Sequence, residues 1–97
     1  MPTHDELAQF LREFSKLAQA NQDLFIDAMK LMVEDVRQGA PFRPNLRIKA
    51  VQGHPGVFEM AWAGDGRATF HYGQPRRPGE AHIIWRRIGR HDILKHP

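Results

Sequence analysis

The amino-acid sequence predicts an α+β fold in which an N-terminal helical hairpin packs on one face of a small, mainly antiparallel, twisted sheet. Two segments among the first 40 residues carry apolar residues at helical spacing, and after Pro44 the spacing changes to the period of a strand. Turn sequences separate the alternating segments. Helices followed by antiparallel strands form two layers around one core. The length of 97 residues indicates a single domain, 1–97.

The first helix is predicted over residues 4–19. Thr3 and Glu6 have the spacing of a capping box, in which two side chains bond free backbone N–H groups at the start of a helix. Apolar residues then recur at intervals of three and four, as on the buried face of an amphipathic helix. They are Leu7, Phe10, Leu11, Phe14, Leu17 and Ala18.

The second helix is predicted to begin after residues 19–22, with Asn21 as its N-cap, and to end at Gly39. Pro41 and Pro44 prevent its continuation. Its apolar stripe comprises Phe25, Ala28, Met29, Met32, Val33 and Val36. Two helices joined by so short a connection form an antiparallel hairpin.

Four strands are predicted after Pro44, separated by "GHPG", the tight-hairpin sequence "AGDG" and the basic loop "GQPRRPGE". Their ranges are 46–50, 57–62, 67–72 and 81–89. Alternation assigns one set of side chains to the face that the helices cover: Phe58, Met60, Trp62, Phe70 and Tyr72. It sends a polar set to the other face: Glu59, Arg67, Thr69 and His71. We expect that second face to be uncovered.

The positive charge of the chain is concentrated in its second half. Residues 1–40 hold four Lys/Arg and seven Asp/Glu, a balance of −3, whereas residues 41–97 hold ten and four, a balance of +6. A basic surface beside an acidic scaffold favours a polyanionic partner such as nucleic acid, although a merely solvated surface explains so small a balance equally well.

Composition also indicates the cellular compartment of the protein. The chain has no cysteine, which excludes disulfides and thiolate metal sites and fits a reducing compartment. Charged residues interrupt the N-terminal apolar residues, so no signal peptide is predicted. No apolar run approaches the roughly 20 residues that span a bilayer. We expect a cytoplasmic protein without a membrane partner.

A cationic site with imidazoles is predicted where the strands meet. Arg67, His71 and Glu59 share the second face, and the end of the last strand adds further basic residues. The remaining members of this candidate site are Lys49, Arg47, Arg86, Arg87, Arg90 and His91. Such a surface can bind phosphates, and its imidazoles can transfer protons near neutral pH.

Plain structural explanations exist for the same residues. Glu59 and Arg67 can form an ordinary cross-strand ion pair, and His71 and His91 can be exposed without a function. Three other histidines are predicted to lie on the surface: His54, His82 and His96. No metal-ligand spacing is present, so no metal or cofactor is expected. These patterns do not separate an enzyme from a binding module.

The order of the motifs resembles that of the RelE/ParE superfamily of toxins from bacterial type II toxin–antitoxin systems. "FLREFSKLAQANQDLFIDAMKLMVEDV" resembles their helical hairpin, "LRIKAVQGHPGVFEMAWAGDGRATFHY" their central strands and "IIWRRIGRHDIL" their last strand. Family members usually start with a short strand, which we expect to be absent because helix signals begin by residue 4. The paired lysines of some members are replaced by Glu59 and Ala61.

In the RelE branch, the resemblance implies metal-independent, ribosome-dependent cleavage of mRNA by attack of the RNA 2′-hydroxyl. Arg67 matches the arginine that binds the scissile phosphate, and His91 matches the position of the proton donor. His71 and Glu59 are further candidates for the base. A cognate antitoxin is the implied partner. Two alternatives remain, namely a ParE-like inhibitor of DNA gyrase and a degenerate module that only binds the antitoxin.

Overall fold

Two helices and a five-stranded mixed sheet form the fold in a computed structural model that describes residues 2–97. The elements are β1 (Thr3–Glu6), α1 (Ala8–Ser15), α2 (Gln19–Arg37), β2 (Lys49–Ala50), β3 (Phe58–Ala61), β4 (Gly66–Tyr72) and β5 (His82–Arg90). Short 3-10 helices lie at Pro44–Leu46 and His91–Lys95. The strand order is β1-β5-β4-β3-β2, with only the β1–β5 pair parallel. The predicted α+β class is confirmed.

Both helices cover the same face of the sheet and enclose the core, as predicted. The buried core residues are Phe10, Phe25, Ala28, Met32, Leu46, Met60, Ala68, Phe70, Ile83, Trp85 and Ile88. Trp85 lies at the centre, with its ring centroid 5.0 Å from that of Phe25 and 5.3 Å from that of Phe70. Full burial of such side chains stabilises the fold by about 1.5–3 kcal/mol each. No helix within residues 2–97 has the length and apolar character needed to cross a membrane.

The helix-covered face contains most of the side chains assigned to it. Met60 and Phe70 are fully buried, and Phe58 and Trp62 pack against the core at its margin. Tyr72 lies on this face as predicted, but the helices do not cover it, and it is 45% exposed. Tyr72 ends β4 and packs edge-on against Phe58 and Phe70, so its outer surface remains in solvent.

The first four described residues after Pro2 form a strand, so the predicted start of the first helix at residue 4 and the expected absence of an N-terminal strand are wrong. The backbone N–H of Thr3 donates to the carbonyl of Ala81 at 3.1 Å, and that of Leu7 donates to Trp85 at 2.9 Å. Pairing with β5 therefore overrides the capping-box pattern, and α1 begins only at Ala8.

His82 is buried, with 4% of its surface exposed, so its predicted surface location is wrong. Its Nδ1 lies 2.6 Å from the hydroxyl of Thr3, and its Nε2 lies 3.1 Å from the carboxylate of Asp5. Arg76 of the loop before β5 also pairs with Asp5. These polar contacts join β1 to β5 and explain how a histidine is accommodated in the interior.

The boundary between the helices lies earlier than predicted. α1 ends at Ser15, and α2 begins at Gln19 with Ala18 as its N-cap, so the prediction of Asn21 as N-cap is wrong. The N–H groups of Asn21 and Gln22 donate to the carbonyl of Ala18 at 2.9 and 3.0 Å. Backbone bonds thus place Asn21 inside the first helical turn.

The predicted strand over 46–50 is reduced to the two residues of β2. Leu46 belongs to a 3-10 helix that begins at Pro44 and buries Leu46 in the core. Arg47 follows in the left-handed region with φ 51°. This turn interrupts the alternation, and only Lys49 and Ala50 pair with β3.

An ion pair joins the end of α2 to the following loop. The guanidinium of Arg43 donates to both carboxylate oxygens of Asp35 at 3.0 and 2.8 Å, and the Arg43 backbone N–H adds a third bond at 3.0 Å. The side-chain bond from Arg43 is the main cause that lowers the pKa of Asp35, and the backbone bond adds to it. The charged carboxylate is therefore the form that stabilises the fold.

We expect Asp35→Asn to lower the melting temperature at pH 7 and to weaken the acid sensitivity of the protein. A carboxyl group whose folded pKa is depressed stabilises the fold above its unfolded pKa, and this contribution is lost as pH falls through the folded pKa. Melting temperatures measured between about pH 2 and pH 7 will test this expectation. Asp27→Asn on the same helix is the control, and equal acid sensitivity of Asp35→Asn and the unmodified protein would contradict the assignment.

Candidate active site

The candidate site lies on the second face of the sheet, which is the face opposite the helices. Arg67 and His71 point to it from β4 because they alternate with the core residues Ala68 and Phe70. Lys49 lies opposite Glu59, and Glu59 lies opposite Thr69, in the strand register. The predicted grouping of these side chains on one face is therefore present.

The second face is covered, although the sequence predicted that it would be open. The 3-10 helix His91–Lys95 packs on it through Ile93, which is 5% exposed. Gly89 makes this approach possible, since a Cβ atom there would lie 2.9 Å from Cγ2 of Ile93. Beneath this cover, Glu59 and Arg67 are 6% and 7% exposed.

Arg67 is held by its own hairpin and by Glu59. Its Nη1 donates to the carbonyls of Gly64 and Gly66 at 3.2 and 2.9 Å. Its Nε lies 3.7 Å from a carboxylate oxygen of Glu59. The cross-strand ion pair considered from the sequence is thus present, but it is buried. Removing one partner of this buried pair should therefore destabilise the fold far more than removing one partner of a surface pair.

His71 and Arg86 form a second polar contact on this face. Nη1 of Arg86 donates to Nδ1 of His71 at 3.1 Å. A ring nitrogen that accepts a hydrogen bond carries no proton, so the neutral tautomer holds its proton on Nε2. Burial is the main cause that lowers the pKa of His71, and the charge of Arg86 adds to it. His71 is therefore neutral at pH 7.

A β-bulge in β5 changes the directions in which the side chains of Arg86 and Arg87 point. Phe70 pairs with Trp85 while Thr69 pairs with Arg87, which leaves Arg86 as the extra residue. The Arg87 N–H donates to the hydroxyl of the fully buried Thr69 at 3.1 Å. The Arg87 guanidinium reaches Glu13 of α1, with N–O distances of 2.6 and 3.3 Å.

Three other predicted site residues lie away from the centre of the second face. Arg90 pairs with Asp65 at 3.3 Å, and its side chain is 83% exposed. Arg47 lines a groove with Leu24 and Trp62 on the helix-covered side. His91 is exposed at the start of the last 3-10 helix, and its imidazole has no partner among the described residues.

The sequence reasoning missed Glu13 and Thr69, which orient Arg87 through a side chain and a backbone bond. Thr69 was assigned to the second face without a role, and nothing in the sequence connects Glu13 to a residue 74 positions away. Within residues 2–97 there is no group of three or more His, Cys, Asp or Glu side chains that could hold a metal ion.

Solved structures of toxins share this fold across nearly the whole chain. A chain of the Escherichia coli DinJ–YafQ complex aligns with a TM-score of 0.67 and 16% identity, covering 97% of this chain and 98% of the other. The archaeal RelE–RelB complex from Pyrococcus horikoshii gives 0.61 and 14%, with 92% and 93% covered. The YoeB/ParE toxin from Agrobacterium tumefaciens gives 0.65 and 8%, with 92% and 98% covered. No protein-family model and no curated protein matches the sequence.

The chain therefore has the fold of the RelE/ParE toxins, as the order of its motifs predicted. Two of these similar structures are complexes of a toxin with its antitoxin. At such low identity the likeness concerns the fold, and the chemistry must be argued from the residues of the second face.

We expect Arg67→Ala to destabilise the protein by about 3–5 kcal/mol, because it leaves the buried carboxylate of Glu59 without its partner. The double variant Arg67→Ala/Glu59→Gln removes that charge too and should be more stable than Arg67→Ala alone. Urea denaturation will measure both free energies of unfolding. Arg90→Ala, which breaks an exposed pair, is the control and should change stability by at most about 1 kcal/mol. A double variant less stable than Arg67→Ala would contradict the electrostatic explanation.

Proposed function

We propose that the protein is the toxin of a type II toxin–antitoxin system and acts as a ribosome-dependent mRNA endonuclease in the cytoplasm. The toxin fold supports the first part of the proposal. The contact between Arg86 and His71 is the observation that supports the second part, the endonuclease activity. Arg86 donates to the ring of a histidine that is neutral at pH 7, which places a positive charge beside a proton carrier. This combination suits binding and cleavage of a phosphodiester.

In the proposed reaction, the 2′-oxygen of RNA attacks the adjacent phosphorus and the bond from phosphorus to the 5′-oxygen breaks. A base removes the proton of the 2′-hydroxyl, and an acid protonates the leaving 5′-oxygen. The products are a 2′,3′-cyclic phosphate and a free 5′-hydroxyl. No redox partner and no metal-bound water are needed for this atom balance.

Arg67 and His91 have the main roles in this proposal. Nη2 of Arg67 has no protein partner among the described residues, so it is the group of that side chain that can bind the scissile phosphate. His91 is exposed at the edge of the face and can donate the proton to the 5′-oxygen. Arg67 and His91 can contact the same phosphate only if the RNA lies beside the last 3-10 helix.

His71 and Glu59 are the candidates for the base. His71 accepts through Nδ1 from Arg86, so it acts as a base only when a phosphate draws Arg86 away. Glu59 is beside Arg67 and is shielded from solvent. The other cations that serve RNA binding in this proposal are Lys49, Arg86, Arg87 and Arg90. Arg47, a further RNA-binding candidate from the sequence, lies on the helix-covered side and takes no part in it.

A module that only binds an antitoxin is the second candidate function. The burial of Arg67 and its contact with Glu59 favour it, because a compensated guanidinium has less charge to offer a phosphate. The same observation is compatible with a gyrase inhibitor, which needs no phosphate-binding arginine. Experiments must therefore separate RNA cleavage from growth inhibition of another origin.

We expect induced expression to arrest growth and to produce discrete cuts in translated mRNA, mapped by primer extension. His91→Ala should slow cleavage by about two to four orders of magnitude, as loss of a general acid or of a charge-stabilising group does. Arg67→Lys should do the same while keeping a positive charge beside Glu59. His54→Ala is the matched control and should cut at the normal rate.

Three results would decide among the functions. Cleaved DNA–gyrase complexes with intact mRNA would replace the endonuclease by a gyrase inhibitor. Normal growth with soluble, folded protein would leave the antitoxin-binding module. Unchanged cleavage by both Arg67→Lys and His91→Ala would place the reaction elsewhere on the molecule. Thermal melts of every variant will separate these results from loss of folding.

A further inference from the structure

A cavity of about 310 Å³, the hairpin cavity, lies where the β3–β4 hairpin meets the end of β5 and the first turn of α2. These three parts of the chain line it with Trp62, Asp65, Gly66, Arg90 and Asn21, among other residues. Its volume falls at the lower end of the range of pockets that hold small molecules, roughly 300–1,000 Å³. The hairpin cavity therefore has room for one small planar group.

Trp62 gives the hairpin cavity an aromatic wall. A Cβ atom at Gly66 would lie 2.6 Å from Cε2 of Trp62, so the indole ring rests directly on the backbone of the hairpin. The ring N–H has no hydrogen-bond partner among the described residues. Packing on Gly66 and on the margin of the core, rather than a hydrogen bond, therefore positions the ring. A planar ligand can stack on an aromatic surface that is held in this way.

The polar groups of the hairpin cavity suit a nucleotide. The side-chain amide of Asn21 is exposed and has no hydrogen-bond partner within residues 2–97, and an amide offers a donor and an acceptor to the edge of a base. Arg90 pairs with Asp65 at 3.3 Å, but the two side chains are 83% and 58% exposed. So exposed a pair is weak, and a phosphate can replace the carboxylate. Aromatic surfaces beside cations are the groups on which single-stranded nucleic acids bind.

The position of the hairpin cavity connects it to the second face. His91, the proposed proton donor, follows Arg90 directly in the chain. The carbonyls of Gly64 and Gly66 in the same hairpin accept hydrogen bonds from Arg67. An RNA strand that lies beside the last 3-10 helix can therefore place a neighbouring base in the hairpin cavity.

We propose that the hairpin cavity is a nucleobase subsite, in which an unpaired base of single-stranded RNA stacks on Trp62 and pairs with the amide of Asn21 while Arg90 binds its phosphate. This inference rests on the proposed function for the identity of the ligand as RNA. The contacts are available to any base through its aromatic face, and the amide adds contacts to its edge.

A second groove, of about 420 Å³, shares Trp62 with the hairpin cavity. Leu24 and Leu31 of α2 line it together with Asn45 and Arg47. No residue of β5 lines this groove, so it does not adjoin Arg90. We therefore assign the base to the hairpin cavity and use the second groove as the control.

Tryptophan fluorescence of the unmodified full chain, excited beyond the absorption of adenine and titrated with adenosine 5′-monophosphate, tests the proposal without cleavage. The chain has two tryptophans, and Trp85 is 1% exposed, so a stacked base quenches the emission of Trp62. The nucleotide should quench, whereas ribose 5-phosphate, which lacks the base, should not. Trp62→Phe should abolish the quenching. Equal quenching by both ligands, or equal quenching of both proteins, would overturn the proposal.

NMR titrations with the same nucleotide, followed through the backbone N–H of Gly66, measure the affinity of each variant. Trp62→Leu should weaken binding by about fivefold to a hundredfold, the usual effect of losing one base-stacking contact. Asn21→Ala should weaken it by about threefold to tenfold, as loss of a hydrogen bond does. Asn45→Ala, an exposed asparagine of the second groove, is the matched control and should bind normally. A loss for Asn45→Ala with none for Asn21→Ala would place the base in the other groove and overturn the assignment.

Asp65→Asn tests the role of Arg90 with the opposite sign. Removal of the carboxylate that competes with the phosphate should strengthen nucleotide binding, and weaker binding would overturn the proposal because Asp65 would then hold the ligand. Asn21→Ala and Asp65→Asn change exposed side chains, so they keep the test valid if Trp62→Leu does not fold. Nucleotide binding by a protein that never cuts RNA would refute the endonuclease alone. RNA cleavage without any response to the nucleotide would refute the subsite alone.

Discussion

The direction of every side chain in the second half of β5 depends on one extra residue in that strand. The bulge at Arg86 lets Ile83, Trp85 and Ile88 all face the helices, although their spacing changes from two to three. It also turns Gly89 to the second face, where Ile93 packs on it. In a regular strand, strict alternation would turn Ile88 away from the helices. Gly89 would then not lie on the second face, and Ile93 would have no surface on which to dock.

The arginines of β4 and β5 have different partners, and these partners determine which arginines can bind an anion on the second face. Arg67 lies beside Glu59, Arg87 binds Glu13, and Arg90 pairs with Asp65 in solvent. Arg86 donates to the ring of His71, whose neutral form is favoured by burial and by the charge of Arg86. The cluster of cations at the end of a core strand is therefore largely neutralised by carboxylates within the fold.

Local patterns predicted the helices, the core face and the hairpins, because period and turn chemistry are local properties. Met60 and Phe70 followed directly from alternation. β1 could not be predicted, since its four polar residues form a strand only by pairing with residues near His82, 79 positions from Thr3. The burial of Arg67 depends on the docking of Ile93, another tertiary contact. The spacing of Ile83, Trp85 and Ile88 was the one visible sign of the bulge.

The proposed function requires that the second face promotes attack of the RNA 2′-hydroxyl on the adjacent phosphorus, with arginine and histidine side chains in place of metal chemistry. Mass spectrometry of the upstream fragment from mRNA cut on the ribosome tests this claim most directly, because the fragment end records the nucleophile. A 2′,3′-cyclic phosphate, or the 3′-phosphate formed from it, is the predicted end. A 3′-hydroxyl would show that water attacked the phosphorus and would contradict the account.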